Sequence, residues 1–198
     1  MKKAIVFISV LALILGIGAT AMAAPVTFSF DSLADGSNAT TISAYMTTVY
    51  GATVTVSGGT PMAEGSGSFP GLLGGTGDRY IESEPSGDQL ITITFAAPIT
   101  SVSFDWGKAL DPFNADFSVD GTTFANFFHV DYTFFSQIGH LNTYAFASPV
   151  LALRFHDEGF GEVGIDNLVV DKASVPEPMS LLLLGLGLLG IGVVRRKK

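Results

Sequence analysis

Apolar and polar residues alternate with a period of two through much of the middle of the chain. Residues 25–30 read Pro-Val-Thr-Phe-Ser-Phe, and residues 52–57 read Ala-Thr-Val-Thr-Val-Ser. A period of two is typical of a β-strand with one buried face. The same alternation, or a short apolar run between turn residues, predicts further strands at residues 79–82, 89–95, 99–106, 113–119, 123–135, 143–147, 150–155 and 164–170.

Residues 41–50 follow a different period. Their apolar residues are spaced three or four positions apart, at Ile42, Tyr45, Met46 and Val49. This spacing places them on one face of an α-helix. Gly51 follows directly and is typical of a helix C-terminal cap. We therefore predict one short amphipathic helix at residues 41–50.

Strands that recur about every 8 to 12 residues, with turn signals between them, are typical of a β-sandwich. Asp120-Gly121 is one such signal. With a single helix, the pattern predicts an all-β fold over residues 24–174, an antiparallel β-sandwich. Residues 58–77 are rich in Gly, Ser and Pro, and a stretch of this length is typical of either a binding loop or a mobile loop.

The N-terminus carries a targeting pattern. Lys2 and Lys3 precede an apolar run at residues 4–17, and Ala21-Met22-Ala23 follows it. This order is typical of a secretory signal peptide, which we predict at residues 1–23. The alternative is a retained signal anchor, which the small residues at positions 21 and 23 disfavour.

The C-terminal residues 175–198 contain Pro176-Glu177-Pro178, an apolar stretch at residues 179–194 and four terminal basic residues. The prolines interrupt regular structure. As a helix, residues 179–194 would be about 24 Å long, a little short of the ~30 Å hydrocarbon core of a bilayer, a mismatch that local thinning of the lipid can accommodate. We predict a transmembrane helix whose basic end stays in the cytoplasm.

This C-terminal arrangement resembles the PEP-CTERM sorting signal. The resemblance implies recognition by an exosortase in the inner membrane of an exopolysaccharide-producing Gram-negative bacterium, followed by release to the cell surface or extracellular matrix. It also implies that the sorting residues are Pro176, Glu177, Pro178, Arg195 and Arg196. The alternative is an ordinary tail anchor that keeps the protein permanently in the envelope.

Composition narrows the chemistry of residues 24–174. The chain has no cysteine, which excludes a thiol nucleophile and cysteine-based zinc sites. Between the two targeting segments, seventeen acidic residues stand against only four basic ones, Arg79, Lys108, Arg154 and Lys172. Such a charge repels nucleic acid, so we expect no nucleic-acid partner. It is compatible with divalent cations and with neutral sugars.

Common enzyme motifs are absent from the sequence. It contains neither G-x-S-x-G nor H-E-x-x-H. Solvated surface acids best explain the acid pairs Glu82 and Glu84, Asp157 and Glu158, and Asp111 and Asp116. We therefore expect a non-enzymatic protein. The alternative is a secreted polysaccharide-acting enzyme, which needs two acids facing each other across a cleft.

A second resemblance concerns the fold. It is carried by Gly87-Asp88-Gln89-Leu90, by the strand pattern at residues 99–106 and by Gly164-Ile165-Asp166-Asn167-Leu168. These segments resemble jelly-roll sandwiches related to galactose-binding and carbohydrate-binding modules. The resemblance implies a jelly-roll-like sandwich and supports the fold more than any ligand.

One candidate ligand site surrounds Trp106, the only tryptophan. It follows Asp105 at the end of a predicted strand, as a sugar-stacking ring with a hydrogen-bonding neighbour would. Tyr80 and Asp157 would join this site if their loops converge. The competing interpretation is a core tryptophan, because large aromatic side chains are mostly buried.

A second candidate site is a structural Ca²⁺ site, since Ca²⁺ prefers carboxylate and carbonyl oxygens. Its candidate ligands are Asp31, at the end of the first predicted strand, and Asp166, in the last. In the competing interpretation, Asp166 and Asn167 bond to backbone groups at a strand edge or bulge. The whole chain is thus predicted to be an exported, non-enzymatic surface or matrix protein with a structural or adhesive role, weak carbohydrate binding and exopolysaccharide as its candidate partner.

Overall fold

The computed structural model describes residues 24–58, 61–64, 79–83, 90–109, 111–131, 137–159 and 161–174. Within these ranges the helix is α1 (Ala39–Tyr50). The strands are β1 (Val26–Phe28), β2 (Ser37–Asn38), β3 (Val54–Ser57), β4 (Pro61–Glu64), β5 (Tyr80–Ser83), β6 (Leu90–Ala109), β7 (Phe113–Ser118), β8 (Ala125–Val130), β9 (Gln137–His156) and β10 (Glu162–Lys172).

The predicted signal peptide at residues 1–23 and the predicted transmembrane helix at residues 179–194 lie outside the described residues. In the ranges that are described, no helix is both long enough and apolar enough to cross a membrane. The glycine-rich stretch at residues 58–77 is described only in part. Its described part contains the strand β4, within a stretch that was predicted to be a binding loop or a mobile loop.

Two long strands, β6 and β9, organise the fold. They pair antiparallel from Leu90 opposite His156 to Lys108 opposite Gln137, with register shifts near the middle. Pro98 and Pro149 lie at these shifts, where a residue without an N–H group cannot continue the ladder. Such irregularities bend strands and let them pass from one sheet to another. The N-terminal half of β6 pairs with β3, and its C-terminal half pairs with β10.

The ten described strands form one hydrogen-bonded sheet, and the bend folds it into two packed layers, which we call the first and the second sheet. The first sheet has the order β3-β6-β9-β7-β8, and the second has the order β4-β5-β10-β6-β9, with β1 beside β10 and β2 beside β4. Phenylalanines from both sheets meet in the core. The ring of Phe104 in the second sheet packs edge-on against Phe155 in the first, with centroids 5.0 Å apart. The predicted antiparallel β-sandwich with one short helix is confirmed.

Helix α1 begins two residues earlier than predicted, because the Asn38 side chain caps it by accepting a hydrogen bond from the Thr41 amide at 3.2 Å. It ends at Gly51, as predicted, in the left-handed conformation. The buried face was predicted less well. Tyr50 is fully buried, and its hydroxyl donates to the Ala97 carbonyl at 2.7 Å, whereas Val49 is 39% exposed.

Candidate functional site

Polar side chains cover the outer surface of the first sheet. In β7, Phe113 and Ala115 point into the core, so the alternate residues Asn114 and Asp116 point outward. Both lie opposite polar partners in the two neighbouring strands. We call this group the polar face; its members are Asn114, Asp116, Asn126, His129, Arg154 and His156.

Asp116 is the centre of the polar face and is only 4% exposed. Its Oδ2 accepts from Arg154 Nε at 3.0 Å and Nη2 at 2.5 Å, and from His156 Nε2 at 3.0 Å. Its Oδ1 accepts from Asn126 Nδ2 at 3.1 Å. Burial alone would raise the pKa of Asp116, but these hydrogen bonds outweigh it and lower the pKa to about 2. The carboxylate is therefore ionised at neutral pH.

His156 is held with both ring nitrogens against acceptors. Nε2 faces the Asp116 carboxylate, and Nδ1 lies 2.9 Å from the Asp157 carbonyl oxygen. Both contacts are hydrogen bonds only when both nitrogens carry a proton. The hydrogen bond to Asp116 raises the pKa of His156, although burial opposes it. The geometry and the pKa shift both favour the imidazolium form.

Arg154 is fixed from two directions. Its guanidinium donates twice to Asp116 and lies 4.3 Å from the centre of the Phe124 ring. The side chain is 32% exposed. Because guanidinium has five N–H donors, this partly exposed group has donor capacity beyond the two bonds to Asp116.

The rim of the polar face is also hydrogen-bonded. Asn114 Oδ1 lies 2.8 Å from His129 Nδ1, and Asn114 Nδ2 donates to Glu158 Oε1 at 3.1 Å. Hydroxyl groups widen this surface across the sheet. Thr92 of β6 lies opposite Arg154, and Ser57 of β3 lies opposite Thr92. The outward surface is therefore polar over all five strands of the first sheet.

The structure does not bring the four residues of the predicted sugar site together around the Trp106 ring. Trp106 is 7% exposed and packs against Phe113, with ring centroids 5.6 Å apart. It is thus a core tryptophan, with no ring face open for stacking. Asp105 points to the opposite side of the same strand, where its carboxylate accepts from Asn167 Nδ2 at 2.8 Å and contacts His140 Nδ1 at 2.5 Å.

Tyr80 and Asp157 lie in different parts of the fold. Tyr80, in β5, is buried and its hydroxyl donates to Glu82 Oε2 at 3.0 Å. Asp157 follows the end of β9. Burial raises the pKa of the Asp157 carboxyl, and the nearby Asp111 adds to this effect, while the backbone amides of Gly161 and Gly159 oppose it.

The two predicted calcium ligands also have other contacts. Asp31 accepts from the Arg79 amide at 3.1 Å. Asp166 is buried opposite Asp105 and receives a bond from Asn167 Nδ2 at 3.3 Å. Asn167 has a positive φ of 46° beside a register shift, as a bulge residue would. Among the described residues, no group of three His, Cys, Asp or Glu side chains could hold a metal, and the calcium site stays a prediction.

The polar face was not predicted from the sequence. Asp116 was interpreted as a surface acid, the apolar strand pattern around His156 favoured a structural histidine, and Arg154 was assigned no role. Asp116 and Arg154 are 38 positions apart in the chain. Alternation shows that each occupies an outward position of its strand, but only the strand register brings them together.

Comparison with known proteins identifies the C-terminal segment. Residues 174–198 match the family described as the PEP-CTERM protein-sorting motif. None of the curated proteins matches this chain. Solved structures that resemble it include the K2 cleaved adhesin domain of Lys-gingipain, with 13% identity over 74% of this chain and 99% of that chain and a TM-score of 0.48. A family 29 carbohydrate-binding module has 14% identity over 66% of this chain and 87% of that chain, with a TM-score of 0.41.

The match at residues 174–198 agrees with the sorting signal predicted from Pro176-Glu177-Pro178, the apolar stretch and the basic end. That prediction is confirmed. The structural likenesses are distant, and we transfer no ligand from them. The chain carries a PEP-CTERM protein-sorting motif and is an exported protein processed by an exosortase.

Proposed function

We propose that the exported domain is a non-catalytic, polysaccharide-binding protein of the Gram-negative cell surface or extracellular matrix, and that it binds through the polar face. The observation that carries this proposal is the network in which Arg154, His156 and Asn126 all donate to Asp116. Four polar side chains are thereby fixed on the outside of a sheet. Groups that are ordered before binding lose less entropy when a ligand arrives.

The chemistry of this surface suits sugar hydroxyls. A sugar ring presents hydroxyl groups that both donate and accept, and C–H groups that pack on aromatic rings. The polar face and its surroundings offer guanidinium, amide and imidazole groups, with threonine and serine hydroxyls on the adjoining strands. The Phe124 ring lies beside Arg154. This combination supports recognition of a carbohydrate surface.

The charge distribution favours a neutral polysaccharide. At the polar face, Arg154 and His156 are balanced by Asp116 and the nearby Glu158. The rest of residues 24–174 is strongly acidic. A polyanion would therefore be repelled at long range, whereas an uncharged chain would not.

The titration of Asp116 makes the central acid of the polar face unsuitable as a general acid. A glycosidase needs one carboxylic acid that keeps its proton near neutral pH. Asp116 has the opposite property, because its donors hold it ionised. Asp157 has a raised pKa, but it is in contact with the backbone amides of its own loop, at Gly159 and Gly161.

Adhesion does not require that each copy of the protein bind the polysaccharide tightly. Many copies in the matrix, each of which binds weakly, would together give firm adhesion through avidity.

The test is affinity electrophoresis of the protein in its exported form through gels that contain glucomannan, xylan or mixed-linkage glucan, with alginate as the anionic comparison. We expect retardation by at least one neutral polymer and none by alginate. The double variant Asn126→Ala and His129→Ala, at exposed positions of the polar face, should lose at least half of that retardation. The control Thr48→Ala, on the exposed surface of α1, should keep it.

Two results would contradict the proposal. Migration unchanged by every neutral polymer would argue against polysaccharide binding of this class. Release of new reducing ends from the retarding polymer would show that the protein is instead an enzyme that acts on it.

A further inference from the structure

Two sheet edges lie next to each other on one side of the sandwich. Among the described strands, β8 at the end of the first sheet pairs only with β7. At the end of the second sheet, residues 137–149 of β9 pair with β6 and with no other strand in the described part of the chain. We call this side the open side; it consists of β8, residues 137–149 and the aromatic side chains that join them.

The aromatic side chains of the open side are Phe117, Phe127, Tyr144 and Phe146. Phe127 of β8 lies 5.0 Å from Tyr144 and 5.5 Å from Phe146 of β9, between ring centroids. Phe117 lies 5.3 Å from Phe146. Three of the four are partly buried against the main core, and Tyr144 is 38% exposed. The hydrophobic core therefore extends to the surface between the two edges.

The β9 part of the open side is unusually exposed. Residues 142–145 and 147–149 are exposed, so successive side chains on both faces of the strand are open. A strand in a soluble domain normally has at least one covered face. Ile138 and Tyr144 are two of the large hydrophobic residues that are exposed in the described part of the chain.

This edge also lacks the protection that edge strands usually carry. Charged residues and prolines discourage pairing with another chain. Residues 137–149 contain no Asp, Glu, Lys or Arg, and their only proline is Pro149 at one end. β8 likewise contains no such charge. Both edges of the open side are therefore free of these charges, although the domain as a whole is strongly acidic.

We propose that two copies of this protein associate through the open side, by antiparallel pairing of residues 137–149 with the same residues of a second copy. Two like-charged copies repel each other over most of their surfaces, and pairing through this segment brings no Asp, Glu, Lys or Arg side chains of the two strands into direct contact. Antiparallel pairing of one strand with itself is self-complementary about a two-fold axis. It would satisfy the edge of β9 and cover Tyr144 and its neighbours.

The association has a consequence for binding that does not depend on the identity of the ligand. The polar face lies on the outer surface of the first sheet, whereas the pairing edge belongs to the second sheet. A pair of copies would therefore present two polar faces. Two linked binding surfaces bind a polymer more tightly than either surface alone.

The test is the molar mass of the exported form, measured by light scattering after size exclusion over a series of concentrations. The variant Thr143→Glu with Ala145→Glu places new like charges on this exposed strand. The control Thr48→Glu adds negative charge on α1, away from the open side. We expect a dimer for the wild type and the control, and a dissociation constant at least tenfold higher for the double variant.

We expect the wild type and both variants to remain folded, because every altered position is exposed. Circular dichroism melts check this. Hydrogen exchange at residues 142–149 gives a second readout and should slow as the wild-type concentration rises. A wild-type protein that stays monomeric up to its solubility limit would overturn the proposal. So would a double variant that dimerises as tightly as the control.

Discussion

Trp106 and Gly139 lie directly opposite each other on β6 and β9, and the indole ring packs onto the glycine. A Cβ atom at position 139 would lie 2.5 Å from Trp106 Cζ2 and 2.7 Å from Cε2. Indole Nε1 is buried without a hydrogen-bond partner in the described part of the chain. Packing, rather than a hydrogen bond, therefore fixes the ring.

The first prediction follows from this contact. Gly139→Ala should lower the free energy of unfolding by about 1–3 kcal/mol, because the added methyl group overpacks a core ring. Urea unfolding followed by the fluorescence of the single tryptophan measures this directly. The control Ser148→Ala, at an exposed position of the same strand, should change stability by less than about 0.5 kcal/mol. Equal stability of the two variants would show that the ring moves aside freely.

Much of the fold could be predicted because its signals are local. Alternation with a period of two identified most strands, and helical spacing with Gly51 identified α1. The long strands were harder. The predicted strands at residues 89–95 and 99–106, and at residues 143–147 and 150–155, left Pro98 and Pro149 between separate strands, whereas the structure places both at the bend of a continuous pair. A proline shows that a ladder hydrogen bond is missing, but not whether the strand continues beyond it.

The polar face could not be predicted, because it depends on register between distant strands. Asp116 and Arg154 are adjacent only because β7 pairs with the C-terminal half of β9. The prediction that Trp106 and Asp105 share one sugar site failed for a different reason. Neighbours in a strand point to opposite faces, so these two residues could share a site only at an irregular position.

The second prediction concerns the pH dependence of stability. The pKa of His156 is raised in the folded protein above its ordinary value of 6.5. Its contribution is therefore complete below pH 6.5 and is lost as the pH rises through the higher folded pKa. We expect the free energy of unfolding to fall on this alkaline side. Urea titrations at a series of pH values measure it.

The matched variant for this prediction is His156→Gln. Its amide can donate to Asp116 but does not titrate, while the other two histidines are unchanged. Its stability should therefore depend less on pH between neutral and mildly alkaline conditions. If the free energy of unfolding falls with pH equally steeply in the wild type and in His156→Gln, a titratable group other than His156 causes the fall.

The third prediction compares Arg154, which binds a buried carboxylate, with Arg79, which binds an exposed one. Arg154→Met removes two hydrogen bonds from the buried Asp116 carboxylate, whereas Arg79→Met removes an exposed pair with Asp35 at 2.9 Å. Loss of donors from a buried acceptor costs about 1–3 kcal/mol, but an exposed ion pair contributes about 0–1 kcal/mol. Chemical unfolding at neutral pH compares the two. A larger loss of unfolding free energy for Arg79→Met than for Arg154→Met would show that the pair with Asp35 stabilises the fold more than the bonds to Asp116 do.

The fourth prediction isolates backbone strain at the end of α1. Gly51 has a φ of 72°, and the nearest atom to an added Cβ is Lys172 Nζ at 3.9 Å. Space is therefore available, and Gly51→Ala should be destabilised by about 1–2 kcal/mol through the left-handed conformation alone. Asparagine enters this region more readily, so Gly51→Asn should lose less than Gly51→Ala. Thermal melts of both variants test this. Equal losses for alanine and asparagine would show that the left-handed conformation is not the cause of the loss, because the two residues differ in how readily they adopt it.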